Sequence, residues 1–127
     1  MTRTVLDASA VLTFLSGEPG WNEVERLLDQ AYVNAVNVAE VASKLAERGS
    51  SAESTREIIE SLGIEIVSCD RLLAYRIGEL RVTTKSFGLS LGDRACLATA
   101  LHYNTPAITA DRHWKALKLG IKIHVIR

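Results

Sequence analysis

The sequence predicts one α/β domain over residues 1–127, a doubly wound parallel sheet with helices on both faces. Short apolar runs of strand length alternate with longer stretches whose apolar residues recur at helical spacing, the pattern of parallel strands joined by crossover helices. Glycine, proline and asparagine punctuate the junctions. One helical stretch, residues 95–101, is apolar almost all round, as a helix buried in a layered core must be.

Taken in order, Val5-Leu6 ends a buried strand and leads into Asp7. A helix over about 8–15 is broken by Gly17, Pro19 and Gly20. Trp21, Val24, Leu27 and Leu28 have the spacing of a second helix over about 21–29, with Trp21 as a packing anchor. Residues 31–35 form a strand. Asn37 then opens a helix with Val38, Val41 and Leu45 on one face, ended by Gly49. Ser51 starts a helix over about 51–62, with Ile58, Ile59 and Leu62 inward and Gly63 as its stop. Residues 64–67 make a strand, and Asp70 caps a long helix carrying Leu72, Leu73, Ile77 and Leu80. Ser90 caps the apolar helix, which Asn104 and Pro106 end. Residues 107–109 are a strand, Asp111 opens a short helix with Trp114 as an anchor, and 121–126 is the last strand. Lys122 and His124 alternate there with Ile121, Ile123 and Val125, which suits a sheet edge.

Composition excludes several classes. The 127 residues are 47% apolar and 24% charged, which rules out disorder, collagen, a disulfide scaffold and a coiled coil. Cys69 and Cys96 lie outside any C-x-x-C and are expected as small core residues in a reducing cytosol. No apolar run reaches the roughly 18 residues a membrane span needs, and Asp7 interrupts the apolar start that would suggest a secretory signal. A cytoplasmic protein is expected. Fifteen basic and fifteen acidic residues cancel, which counts against a nucleic-acid binder working through a basic surface. The halves differ, however: residues 1–63 carry a net −5 and residues 64–127 a net +5. Solvated helix faces explain this, as does a basic flank beside an acidic site.

Four acids occupy similar places. Asp7 and Asp111 each follow a strand and precede a helix, while Glu40 and Asp93 stand three residues after Asn37 and Ser90. Each alone reads as a cap or capping box, and acids favour helix N-termini in any case. Topology adds the second reading. In a doubly wound sheet the strand order reverses beside the first strand and leaves a crevice at the carboxyl edge. Asp7 lies at that tip, the 107–109 strand is its natural neighbour, and the other two helices can lean over the same crevice. Clustered carboxylates raise one another's pKa, and a hard divalent cation relieves them. An oxygen-only set favours Mg²⁺ or Mn²⁺ over zinc. Two such ions would cancel the four acids and leave the remainder positive.

At these residues the sequence resembles PIN-domain ribonucleases, specifically the VapC-type toxins of toxin–antitoxin pairs. The matching segments, in family order, are Val5-Leu6-Asp7-Ala8-Ser9-Ala10, Asn37-Val38-Ala39-Glu40-Val41, residues 88–98 around Ser90 and Asp93, and Thr109-Ala110-Asp111-Arg112. The resemblance implies a Mg²⁺- or Mn²⁺-dependent endoribonuclease with Asp7, Glu40, Asp93 and Asp111 as metal-binding acids, and Ser9 and Thr109 supporting them. It also implies an RNA substrate, a homodimer, and a VapB-type antitoxin whose tail blocks the groove. Arg81, Lys85, Arg94 and Arg112 are candidate phosphate contacts beside candidate surface roles. His102, His113 and His124 show no catalytic pattern. Two rivals remain. Val5-Leu6-Asp7-Ala8-Ser9 is similar to the nucleophile motif of haloacid-dehalogenase-type phosphatases, with Ser9 where a second Asp is needed. A non-catalytic PIN or receiver-like binding module is the other.

Overall fold

The structure is a computed structural model and describes residues 2–127. Its strands are β1 (Thr4–Leu6), β2 (Ala31–Asn34), β3 (Glu65–Val67), β4 (Ala107–Thr109) and β5 (Ile123–Val125). Its helices are α1 (Ala8–Ser16), α2 (Trp21–Glu25), α3 (Ala35–Glu47), α4 (Ala52–Glu60), α5 (Arg71–Thr83) and α6 (Leu91–Tyr103), with short 3₁₀ turns at Leu28–Gln30, Lys85–Phe87 and Arg112–Ala116. The strands form one sheet in the order β3-β2-β1-β4-β5, parallel throughout. This is the predicted doubly wound α/β fold, and the order reverses beside β1 as expected. Lys122 and His124 stand at an edge as expected.

Alternation along the central strands divides the core in two. Val5 and Ala107 face a cluster with Leu73, Ile77, Leu97 and Trp114, beneath α5 and α6. Leu6, Val33 and Ile108 face the opposite cluster with Val11, Val41 and Ile59, beneath α1, α3 and α4. A one-residue slip in β1 would exchange the faces, so packing fixes the register that leaves Asp7 at the strand tip.

Several expectations need correction. The helix expected to open at Asn37 opens at Asn34, whose Oδ1 accepts from the Val36 amide at 2.9 Å. Asn34 is fully buried, and its Nδ2 donates to Thr99 Oγ1 at 2.9 Å, so the cap is also a tie to α6. Both ends of that amide are used. The helix expected over 21–29 stops at Glu25, and Trp21 is exposed, whereas Trp114 is fully buried. Cys96 is a core residue, but Cys69 is exposed. Leu72, expected inward with Leu73, points out. No helix among the described residues is long and apolar enough to cross a membrane.

Candidate metal centre

Asp7 leaves β1 and caps α1. Its Oδ1 accepts from the Ala10 amide at 2.9 Å and from Ser9 Oγ at 2.7 Å, and its Oδ2 accepts from Thr109 Oγ1 at 2.7 Å. Ser9 Oγ also accepts from the Ala110 amide at 2.9 Å, and Thr109 Oγ1 accepts from the Asp111 amide at 3.0 Å. The two hydroxyls therefore stitch the tip of β1 to the tip of β4, at the place where strand order reverses. They also present donors to a carboxylate that has left water. Asp7 is only 4% exposed. Burial pushes its pKa from an ordinary 3.8 up to about 6, against the lowering effect of the Thr109, Ser9 and Ala10 hydrogen bonds, and the charge of Asp93 adds to the rise.

Asp93 occupies the third position of α6. The Asp93 amide donates to Ser90 Oγ at 3.1 Å and the Ser90 amide donates to Asp93 Oδ2 at 3.0 Å, the expected capping box. Glu40 is not in the first turn of its helix, because α3 begins at Ala35. It stands on the second turn, exposed, and its Oε1 accepts from Asn37 Nδ2 at 2.9 Å. Asp111 caps the 3₁₀ turn of Arg112–Ala116, its Oδ1 accepting from the His113 amide at 2.9 Å and lying 3.0 Å from His113 Nδ1.

All four acids line one open cleft of about 400 Å³, together with Ser9 and Asn37. Cys96 is fully buried, and its thiol pKa is pushed well up, first by burial and then by the charges of Asp7, Asp93 and Glu40. Asp111 is engaged with His113. Among the described residues, no three such side chains are close enough to hold one ion as they are placed. The donor set nevertheless fits a hard divalent cation. The anionic groups on offer are all carboxylates, and no histidine or cysteine lines the cleft. Asp7 is buried with neutral donors and no basic partner among the described residues, an arrangement that a bound cation would relieve.

None of the four proposed phosphate contacts lines the cleft. Arg81 and Lys85 are exposed nearby in sequence, on the end of α5 and the turn after it. Arg112 donates from Nε to the Arg127 carbonyl at 3.3 Å. Arg94 turns inward, its Nη1 donating to the Ile77 carbonyl at 2.9 Å, so it ties α6 to α5. The cation that does line the cleft is Lys44, 3.6 Å from Glu47. Sequence reasoning missed it, although Lys44 lies one helical turn beyond Glu40. It also missed Asn37 and Gly92 as site residues: Asn37 was read as a cap and Gly92 was passed over.

A PIN-domain family profile matches residues 4–119. The chain belongs to the PIN-domain family. No curated protein sequence matches it significantly. Solved structures do. A chain of the DNA-bound VapBC complex from Salmonella typhimurium matches with a TM-score of 0.75 at 18% identity, over 100% of both chains. FitAcB from Neisseria gonorrhoeae gives 0.70 at 19% identity, over 95% of this chain and 96% of that one. VapC20 from Mycobacterium tuberculosis, a Sarcin-Ricin loop cleaving toxin, gives 0.70 at 16% identity, over 94% and 98%. At these identities the likeness is one of fold.

Proposed function

We propose that the chain is a VapC-type toxin, a Mg²⁺- or Mn²⁺-dependent endoribonuclease of the cytoplasm, silenced by a VapB-type antitoxin. The observation that carries this reading is the convergence of Asp7, Glu40, Asp93 and Asp111 on one cleft at the sheet's reversal point. When bound there, the metal would polarise the phosphate and supply an activated water. The chain's own part is to hold it. Asp7 and Asp93 would be the principal ligands, Glu40 would bind beside them, and Asp111 would hold a second ion or orient the water. Ser9 and Thr109 keep Asp7 aimed by donating to both of its oxygens. The structural kinship with VapBC and VapC20 supports the antitoxin partner and the RNA substrate.

Membership of the PIN family leaves the phosphatase reading without support. Ser9, at the position where that motif needs an acid, serves here as a hydroxyl bridge between strands. The test is an RNA digest by the purified chain. Cleavage is expected with Mg²⁺ or Mn²⁺, is expected to stop with EDTA, and is expected to fall when the antitoxin is added. Cleavage that persists in EDTA would remove the metal from the account.

We infer that the homodimer implied by the resemblance uses α5, which carries several of the exposed large apolar side chains. Leu72, Tyr75 and Val82 are 47%, 64% and 79% exposed and share one face. Gly78 lies on that face with open space around it. A second copy packed antiparallel about a two-fold axis at Tyr75 would set Arg71 against the partner's Glu79 and Leu72 over the partner's Gly78. Arg71→Glu is expected to give a monomer by light scattering, and adding Glu79→Arg to restore the dimer. A dimer indifferent to both changes would place the interface elsewhere.

A further inference from the structure

We propose that Asn37 and Gly92 position Glu40 for the metal: Asn37 grips one carboxylate oxygen, and Gly92 leaves empty the space where that carboxylate lies. The proposal rests on the nuclease reading and says what makes Glu40 usable within it. An exposed glutamate on a helix surface has several rotatable bonds and no reason to hold one rotamer. Asn37 holds Glu40, and Gly92 leaves room for it.

The hold is Asn37, one turn earlier on α3 and 1% exposed. Its Nδ2 donates to Glu40 Oε1 at 2.9 Å and to the Gly92 carbonyl at 2.9 Å. Both amide protons face acceptors, so the reversed amide would set its oxygen against two oxygens and is excluded. The bond to Gly92 spans 55 residues of sequence and locks α3 to the start of α6. The carboxylate of one helix is thereby fixed beside the helix that carries Asp93.

Gly92 supplies the room. A Cβ there would run into Glu40 Oε1 and Cδ, and would stand 2.6 Å from Oε2. Gly92 is not among the residues with positive φ, so its backbone does not demand glycine. A Cβ there would displace the Glu40 carboxylate from the place it occupies.

Asn37 Oδ1 is buried with no partner, which costs stability unless the amide's other end is needed. That other end grips Glu40 and the Gly92 carbonyl, which accounts for the choice.

The experiment is Mn²⁺ binding by titration calorimetry to the full chain. Asn37→Ala is expected to weaken Mn²⁺ about tenfold, as loss of an outer partner of a metal ligand does, and Gly92→Ala about as much by displacing the Glu40 carboxylate. Asn37→Ser, which keeps one donor, is expected to fall between. The deciding measurement is a double-mutant cycle. In a Glu40→Gln background, Asn37→Ala is expected to cost no further affinity. An equal loss in both backgrounds would make Asn37 a structural residue and overturn the proposal. So would wild-type affinity in both Asn37→Ala and Gly92→Ala. Should Asn37→Ala fail to fold, Gly92→Ala, which adds a single methyl group, carries the test with the same Glu40→Gln cycle. A wild-type chain that binds no Mn²⁺ would instead bring down the nuclease reading, and this proposal with it.

Discussion

Asp7→Asn and Asp93→Asn are each expected to cut metal-dependent RNA cleavage by at least about a hundredfold, beyond the range for losing an outer partner of a ligand, because each removes a ligand charge outright. The fold is expected to survive both. Asparagine is as good a helix cap as aspartate, so at position 7 its oxygen can still accept from the Ala10 amide and its nitrogen can donate to Thr109 Oγ1. At position 93 the amide oxygen can still accept from the Ser90 amide. What disappears in each case is charge, not shape. The measurement is single-turnover digestion at saturating Mn²⁺, with far-ultraviolet circular dichroism to check folding. Asp111→Asn is expected to cost less, because Asp111 is already engaged with His113. Undiminished cleavage in both Asp7→Asn and Asp93→Asn would remove the assignment.

Three of the four acids were legible in the sequence for a local reason. Asp7, Asp93 and Asp111 each sit at a helix start that a neighbouring strand or serine announces, and the reversal of strand order beside β1 follows from general rules for parallel sheets. Glu40 was found, but its place on the helix was misread. Two asparagines stand three residues apart, and the choice between them depends on Thr99, which reaches Asn34 across 65 residues. Asn37 and Gly92 were invisible as site residues for the same reason, since their meaning lies in a contact between helices. The outward turn of Leu72 and Tyr75 escaped notice because α5 has apolar residues on two faces, and periodicity does not say which face a sheet will cover. Trp21 illustrates the converse: helical spacing suggested burial, but α2 is too short to carry its first residue into the core.

The second large effect is on stability. In metal-free protein, Asp7 holds its proton up to about pH 6 when folded and to an ordinary 3.8 when unfolded. Between those values the folded state binds more protons than the unfolded one, so stability falls as pH rises. The folded state therefore keeps its full share of stability below about pH 4, loses it progressively to about pH 6, and stays at the lower level above, with a total loss of about 3 kcal/mol. Other carboxylates titrate in the same range, so the quantity to measure is the difference between wild type and Asp7→Asn, by urea denaturation in EDTA across pH 4–7.5. That difference is expected to shift in favour of Asp7→Asn as pH rises, by roughly 2 kcal/mol over this range, because asparagine has no proton to lose. Mg²⁺ or Mn²⁺ should reverse it. At a hundred times its dissociation constant, an ion that binds only the folded state stabilises it by about 2.7 kcal/mol, which nearly cancels the cost of ionising Asp7. Wild type should therefore gain in melting temperature on addition of metal at pH 7, and Asp7→Asn should gain far less. The two arms test different steps. A difference that does not vary with pH would mean that Asp7 is not strained by burial, whereas a pH-dependent difference that metal leaves untouched would mean that the strain is real but is not relieved by an ion in this cleft.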